Sequence, residues 1–260
     1  GQALRAVGRT NEARVALALG AATTRHPMPD PWSERAPEHM KLLPDQLAQA
    51  DELGRLGRPD LAVRLLKGAL RFHPDNPGLL NQLGVALNRA GQPQQALPLL
   101  DAALRQDRNA VAARITRSHS LVQLNRAEEG LADAMAAAAA SPRTAQAHLA
   151  VANAQLALDR DVEAVQALRR AIEADPANAE IHVELATVLW RNLADAPAAA
   201  EALSIAIQMN PALPSAHLQL GLLQKQLGDM QAARASLGNL GLVAPDSPEH
   251  RQLQQALAIP

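Results

Sequence analysis

A 34-residue period runs through this chain and limits it to one kind of architecture. Ala62 and Pro74, Ala164 and Pro176, Ala199 and Pro211, and Ala233 and Pro245 form pairs with the same spacing. Self-similarity at such a period means that one supersecondary unit is repeated and stacked, since a single unit is too small to bury its own apolar face. Placing each boundary two residues after the recurrent proline divides the chain into units 43–76, 77–110, 111–144, 145–178, 179–213 and 214–247. All are 34 residues long except 179–213, which has one extra residue in its inner turn near Ala194 to Pro197.

Within a unit the pattern predicts a helix hairpin. Two apolar stretches of helical period are separated by a turn such as Ala90-Gly91-Gln92-Pro93. The second stretch stops at Asp175-Pro176 or Asn210-Pro211, because proline cannot continue a helix and pushes the preceding residue out of helical conformation. Asn76 and Ser247 then stand where an N-cap side chain accepts a backbone N–H, with Pro77 and Pro248 in the first helical position. Gly84, Ala96 and Ala103 mark the closest approach of paired helices, and Leu100 is a core position.

These positions carry a family resemblance. Leu80-x-x-Leu83-Gly84-x-x-Leu87, followed by Gly91, Ala96, Leu100 and Ala103, resembles the tetratricopeptide repeat. Leu220-Gly221, Gly228, Ala233, Leu237 and Pro245 repeat the pattern, as do Leu185-Ala186, Leu203 and Ala206. The departures are local: Gln155 and Gln224 stand in place of the family's tyrosine, Arg108 in place of a terminal proline and Gly130 in place of a signature alanine. The resemblance implies an all-α, right-handed α-solenoid of helix-turn-helix repeats.

The flanks are expected to differ from the array. Residues 1–27 fit a partial repeat entered at its eighth position, as though the chain began within a longer protein, and 28–42 form a Pro-rich insertion containing Trp32. Residues 248–260 read as a capping helix with Leu253 and Leu257 on one face.

Composition excludes several functions. With 25 basic and 26 acidic residues the net charge is −1, so the positive surface of a phosphate-backbone binder is missing. Absence of cysteine removes thiol catalysis, zinc–thiolate sites and disulfides, and leaves the compartment open between bacterial cytoplasm and periplasm, the Ala- and Arg-rich usage having a bacterial look. The longest uncharged stretch, Thr144 to Leu158, is too short and too polar to span a membrane. No metalloprotease, phosphate-loop or serine-hydrolase motif is present, and acids and bases read as spread over solvent faces, so neither catalysis nor a cofactor is expected.

The resemblance also implies where a partner would bind: a concave groove lined by the first helix of each hairpin through its positions 2, 5, 6, 9, 12 and 13. Position five supplies Asn81, Ile115, Leu149, Val183 and Leu218; position nine supplies Val85, His119, Asn153, Thr187 and Leu222. Positions twelve and thirteen add Asn88, Trp190, Arg89 and Arg191. This stripe is aliphatic with scattered amides. It lacks the converging Lys, Arg and Asn of a carboxylate clamp and the asparagine ladder at position six, where the chain has Ala48, Gln82, Thr116, Ala150, Glu184 and Gln219. It suits the apolar face of a helix or an extended segment with aliphatic anchors.

Among single residues, Trp190 is the sharpest binding candidate, with packing near Leu218 as the competing role. Trp32 reads as a seal between partial repeat and array, and Phe72 as core. His148, His182 and His217 share the fourth position of successive repeats; helix spacings of about 8–10 Å set them too far apart for one metal ion, and packing against the preceding hairpin is expected. The run Ala136 to Ala140 makes unit 111–144 thin and the expected weak point. The favoured reading is a non-catalytic scaffold for a partner polypeptide. The alternatives are a recruiting or docking region of a larger enzyme or electron-transfer protein, and a self-assembly module.

Overall fold

The computed structural model of the chain describes residues 43–258, so the expectations for 1–27, for 28–42 and for Trp32 fall outside the described residues. Among these, the fold is thirteen helices without a strand. Six successive hairpins pair α1 (Leu43–Arg55) with α2 (Pro59–Leu70), α3 (Pro77–Arg89) with α4 (Pro93–Gln106), and α5 (Val111–Gln123) with α6 (Ala127–Ala140). They continue with α7 (Ala145–Leu156) and α8 (Asp161–Ala174), α9 (Ala179–Arg191) and α10 (Ala196–Met209), and α11 (Pro214–Gln226) and α12 (Met230–Val243). The last helix, α13 (Pro248–Leu257), packs on both α11 and α12.

The punctuation works as its chemistry requires. Asn76 Oδ1 accepts the Leu79 N–H at 2.9 Å and Ser247 Oγ the His250 N–H at 3.0 Å, each ahead of a proline at the first helical position. Every hairpin turn contains one residue in the left-handed region: Gly57, Gly91, Asn125, Asp159, Ala194 and Gly228. Glycine, asparagine and aspartate tolerate that conformation, whereas alanine at φ 55° does not, and Ala194 lies in the unit with the extra residue.

The curvature follows from which helices meet. First helices of neighbouring hairpins touch at α1–α3, α3–α5, α5–α7 and α9–α11, whereas among the described residues no second helix touches the next second helix. The first helices therefore form the inner, crowded side of the stack and the second helices the outer side. One inner joint differs: no α-carbon of α7 lies within 8 Å of one on α9.

The apolar core is discontinuous. One cluster holds the first two hairpins, including fully buried Ala62, Leu79, Leu83 and Leu100, and a large one joins α7 to α11 around Leu168, Ile181, Leu203 and Leu223. A small terminal cluster seats Leu253 and Leu257 of α13 against Leu240. The third hairpin contributes Ala113 alone to any such cluster, through a small one with Leu80, Ala103 and Leu104.

A polar network lies there beside buried Leu121, Leu131, Ala134 and Ala137. Arg117 binds Asp133 through two bonds of 2.6 and 2.8 Å and reaches back to Asp101 of the second hairpin at 2.7 Å, while Arg114 approaches Asp133 at 3.5 Å. Nearby, Asn88 Nδ2 donates to the Thr116 carbonyl at 3.1 Å and Ser120 Oγ donates to Asn88 Oδ1 at 2.8 Å, both buried. This corrects the expectation that all charges face solvent: Asp133 is 5% exposed. Gly130 explains the tight α5–α6 contact, since a β-carbon there would stand 3.0 Å from the Ser118 carbonyl oxygen. Phe72 is a second correction. At 56% exposure it lies in the turn after α2 and is not a buried core residue.

Candidate functional site

The inner face is built by the first helices, so the predicted groove residues can be followed along it. They divide into three groups. His119 of α5, Leu149 and Asn153 of α7 and Thr187 of α9 come together around one open depression of ≈470 Å³. Leu156, Val188 and Glu184 complete its walls, with Ala152 and Leu168 also facing it. It lies where α7 and α9 stand apart. The buried residues of α7 are all alanine: Ala145, Ala147, Ala150, Ala152 and Ala154.

Electrostatically the depression is unusual. His119 is half-buried, and burial holds its imidazole below the ordinary 6.5, favouring the neutral form. Desolvation, followed by the neighbouring charge of Glu180, pushes the Glu184 carboxyl above the usual carboxylate range. The side chains of His119, Asn153 and Glu184 have no hydrogen-bond or ion-pair partner among the described residues. Thr187 Oγ is engaged, 2.8 Å from the Val183 carbonyl oxygen and 2.9 Å from Gln219 Oε1.

The second group serves the first three hairpins themselves. Asn88 is consumed by the buried bonds to Thr116 and Ser120. Arg89 lies over Gly54, where any β-carbon would collide with its guanidinium, and Val85 borders the same crevice. Asn81 is half-buried with Oδ1 unpartnered, and Ile115 is half-buried.

The third group lies toward the C-terminal end. Trp190 packs against the large apolar cluster, donates its indole N–H to Gln226 Oε1 at 2.8 Å, and has the Arg191 guanidinium 5.5 Å from its ring centre. Val183 is 7% exposed and faces the core. Leu218 and Leu222 pack beside the terminal cluster, and Lys225 donates to the Ala256 carbonyl of α13 at 2.5 Å.

Two of the three fourth-position histidines, His148 and His217, have a clear local role, and His182 makes no such bond. His148 Nε2 bonds the Pro142 carbonyl oxygen at 2.8 Å and His217 Nε2 the Pro211 carbonyl oxygen at 2.9 Å, each six residues back. Arg114 makes the same contact with the Arg108 carbonyl, at 2.8 and 3.1 Å. These side chains satisfy a carbonyl freed by the turn between repeats. Among the described residues, no group of three or more His, Asp or Glu side chains is placed to hold a metal ion. No described helix is long and apolar enough to cross a membrane.

Helix hairpins stacked into a solenoid, with an inner face built by first helices, define the class of helical-repeat interaction proteins. Family models described as tetratricopeptide repeat match residues 55–117, 115–179 and 183–247. The chain belongs to the tetratricopeptide repeat family. Among solved structures it is similar to PilF of Pseudomonas aeruginosa, with a TM-score of 0.59 and 17% identity over 82% of this chain and 96% of that one. A tetratricopeptide repeat protein of Thermus thermophilus, TTC0263, superimposes with a TM-score of 0.58 and 21% identity, over 71% of this chain and all of that one. YrrB, described as a tetratricopeptide repeat protein with an unusual peptide-binding site, gives 0.51 and 16% over 73% and 97% of the two chains. At these identities the likeness is one of fold. No curated protein matches in sequence. Repeats of this family support a scaffold that binds other polypeptides and are typically non-catalytic interaction modules.

Proposed function

We propose that this array is a non-catalytic scaffold that holds a partner helix or extended peptide against its inner face, with the depression between α7 and α9 as the principal contact. The observation that carries this reading is the opening of that one joint, which leaves ≈470 Å³ of space beside His119, Leu149, Asn153 and Thr187. A mostly apolar recess with a few unpartnered polar groups is the form that ligand-binding concavities take. The peptide-binding description of YrrB is consistent with it, as a property of that protein.

The test places a photo-crosslinking amino acid at Asn153, exposed on the inner face, or at Gln166, exposed on the outer helix α8. A host polypeptide trapped from position 153 and absent from position 166 supports the groove. Equal capture at both, or capture from 166 alone, sinks it.

A further inference from the structure

We propose that the depression between α7 and α9 selects a polypeptide segment carrying an aliphatic side chain next to a basic one, and that Glu184 is the residue that sets this specificity. The inference rests on the groove reading above and adds the chemistry of the occupant.

The aliphatic half follows from the walls. Leu149, Leu156 and Val188 face the space with Ala152 and Leu168 behind them, so an inserted aliphatic side chain exchanges water for apolar contact on several sides. The basic half follows from charge. Glu184 is the one carboxylate lining the depression, it has no cation partner among the described residues, and Glu180 lies one turn earlier on the same helix. An unpaired carboxylate one turn from a second one is an unfavourable arrangement that an incoming cation relieves. The array's own cations on the inner face are occupied elsewhere: Arg89 covers Gly54, Arg191 lies over Trp190, and Lys225 bonds the Ala256 carbonyl. An acidic segment would meet a like charge with no cation in the recess to offset it. His119, held neutral by burial, adds none, but it and Asn153 can bond the peptide backbone.

Fluorescence anisotropy on the full chain tests this with two pairs of labelled synthetic peptides. One pair is alanine-based and helical, with Leu and Lys four residues apart or Leu and Glu in the same places; the other is extended, with Leu-Lys or Leu-Glu adjacent. The Lys member of at least one pair should bind about tenfold more tightly than its Glu counterpart. Glu184→Gln should shrink that preference below about twofold, and Glu184→Lys should reverse it. Circular dichroism confirms that both variants keep native helicity, as expected for an exposed position. Equal binding of Lys and Glu peptides, lost on Asn153→Arg, would overturn the charge selection and leave the groove reading intact. Binding that no inner-face variant alters would overturn both. Failure of all four peptides to bind would also overturn the proposal, since an aliphatic-plus-basic pair would then not suffice for recognition.

Discussion

The indole N–H of Trp190 donates to Gln226 Oε1 at 2.8 Å, fastening the last turn of α9 to the last turn of α11. The bond is exposed, and its partner is 36 residues away, so the tryptophan links two repeats. A double-mutant cycle with Trp190→Phe and Gln226→Leu should give a coupling of about 0.5–1 kcal/mol in urea unfolding. Strict additivity would mean that the bond contributes nothing in solution.

The third hairpin should open first. Beside buried Leu121 and Leu131 its interior carries Asp133 and buried serines, and it contributes only Ala113 to the apolar clusters, so less continuous apolar surface holds it. Amide hydrogen exchange should be faster in α5 and α6 than in α3 or α9. Protection equal to that of α9 would show that the polar network compensates fully.

Asp133 cannot be changed cheaply. Asp133→Asn removes one partner of a pair whose carboxylate is buried and leaves Arg117 with only Asp101. The expected loss is about 3 kcal/mol, a decrease in thermal midpoint that survives high salt because the pair is screened little. A shift indistinguishable from that of a surface substitution would contradict this view of the joint.

Leu100 tests the register of the whole array. It is fully buried, and a β-carbon at residue 84 would stand 2.8 Å from its Cδ2, so the glycine exists to admit it. Leu100→Asp should abolish the cooperative melt of the first two hairpins by placing an unpaired charge in their core. An unchanged melting curve would mean that the residue is not where its neighbours put it.

Acidification should weaken the array. Burial holds His119 and His182 below the ordinary imidazole value of 6.5, so the unfolded chain takes up their protons first as pH falls. Their contribution is therefore complete above about that pH and is lost as pH drops through and below it. Glu184 acts in the opposite sense lower down, because its raised carboxyl makes protonation favour the folded state near and above 4.5. Thermal midpoints at pH 7.5, 6.5 and 5.5 should decline, and less steeply for His119→Gln. Parallel declines in the two proteins would remove His119 from the account.

Ala194→Gly should stabilise the fifth hairpin by about 0.5–1 kcal/mol, since alanine there occupies the left-handed region that glycine enters without steric cost. A lower thermal midpoint in this variant would show that the turn's conformation differs in solution.

The repeat, its period and the helix ends were legible in the order of the residues. Each rests on a local rule that needs no knowledge of distant residues: Pro77 and Pro248 start helices, Asn76 and Ser247 cap them, and Gly57, Gly91 and Gly228 turn the chain at φ values of 69°, 69° and 83°. The extra residue near Ala194 was legible for the same reason. How the candidate groove residues divide depends instead on the packing of whole hairpins. Asn88 and Val183 are buried at positions where most of their repeat equivalents are half-buried, and a helical-period pattern carries no record of how each hairpin closes over the next. The ion pairs of Arg117 with Asp101 and Asp133 join three helices, and each charged residue, taken singly, looks like surface. The recess beside Glu184 lies where no α-carbon of α7 comes within 8 Å of one on α9. Its lining comes from α5, α7, α8 and α9, and nothing in the order of the residues sets those four helices side by side.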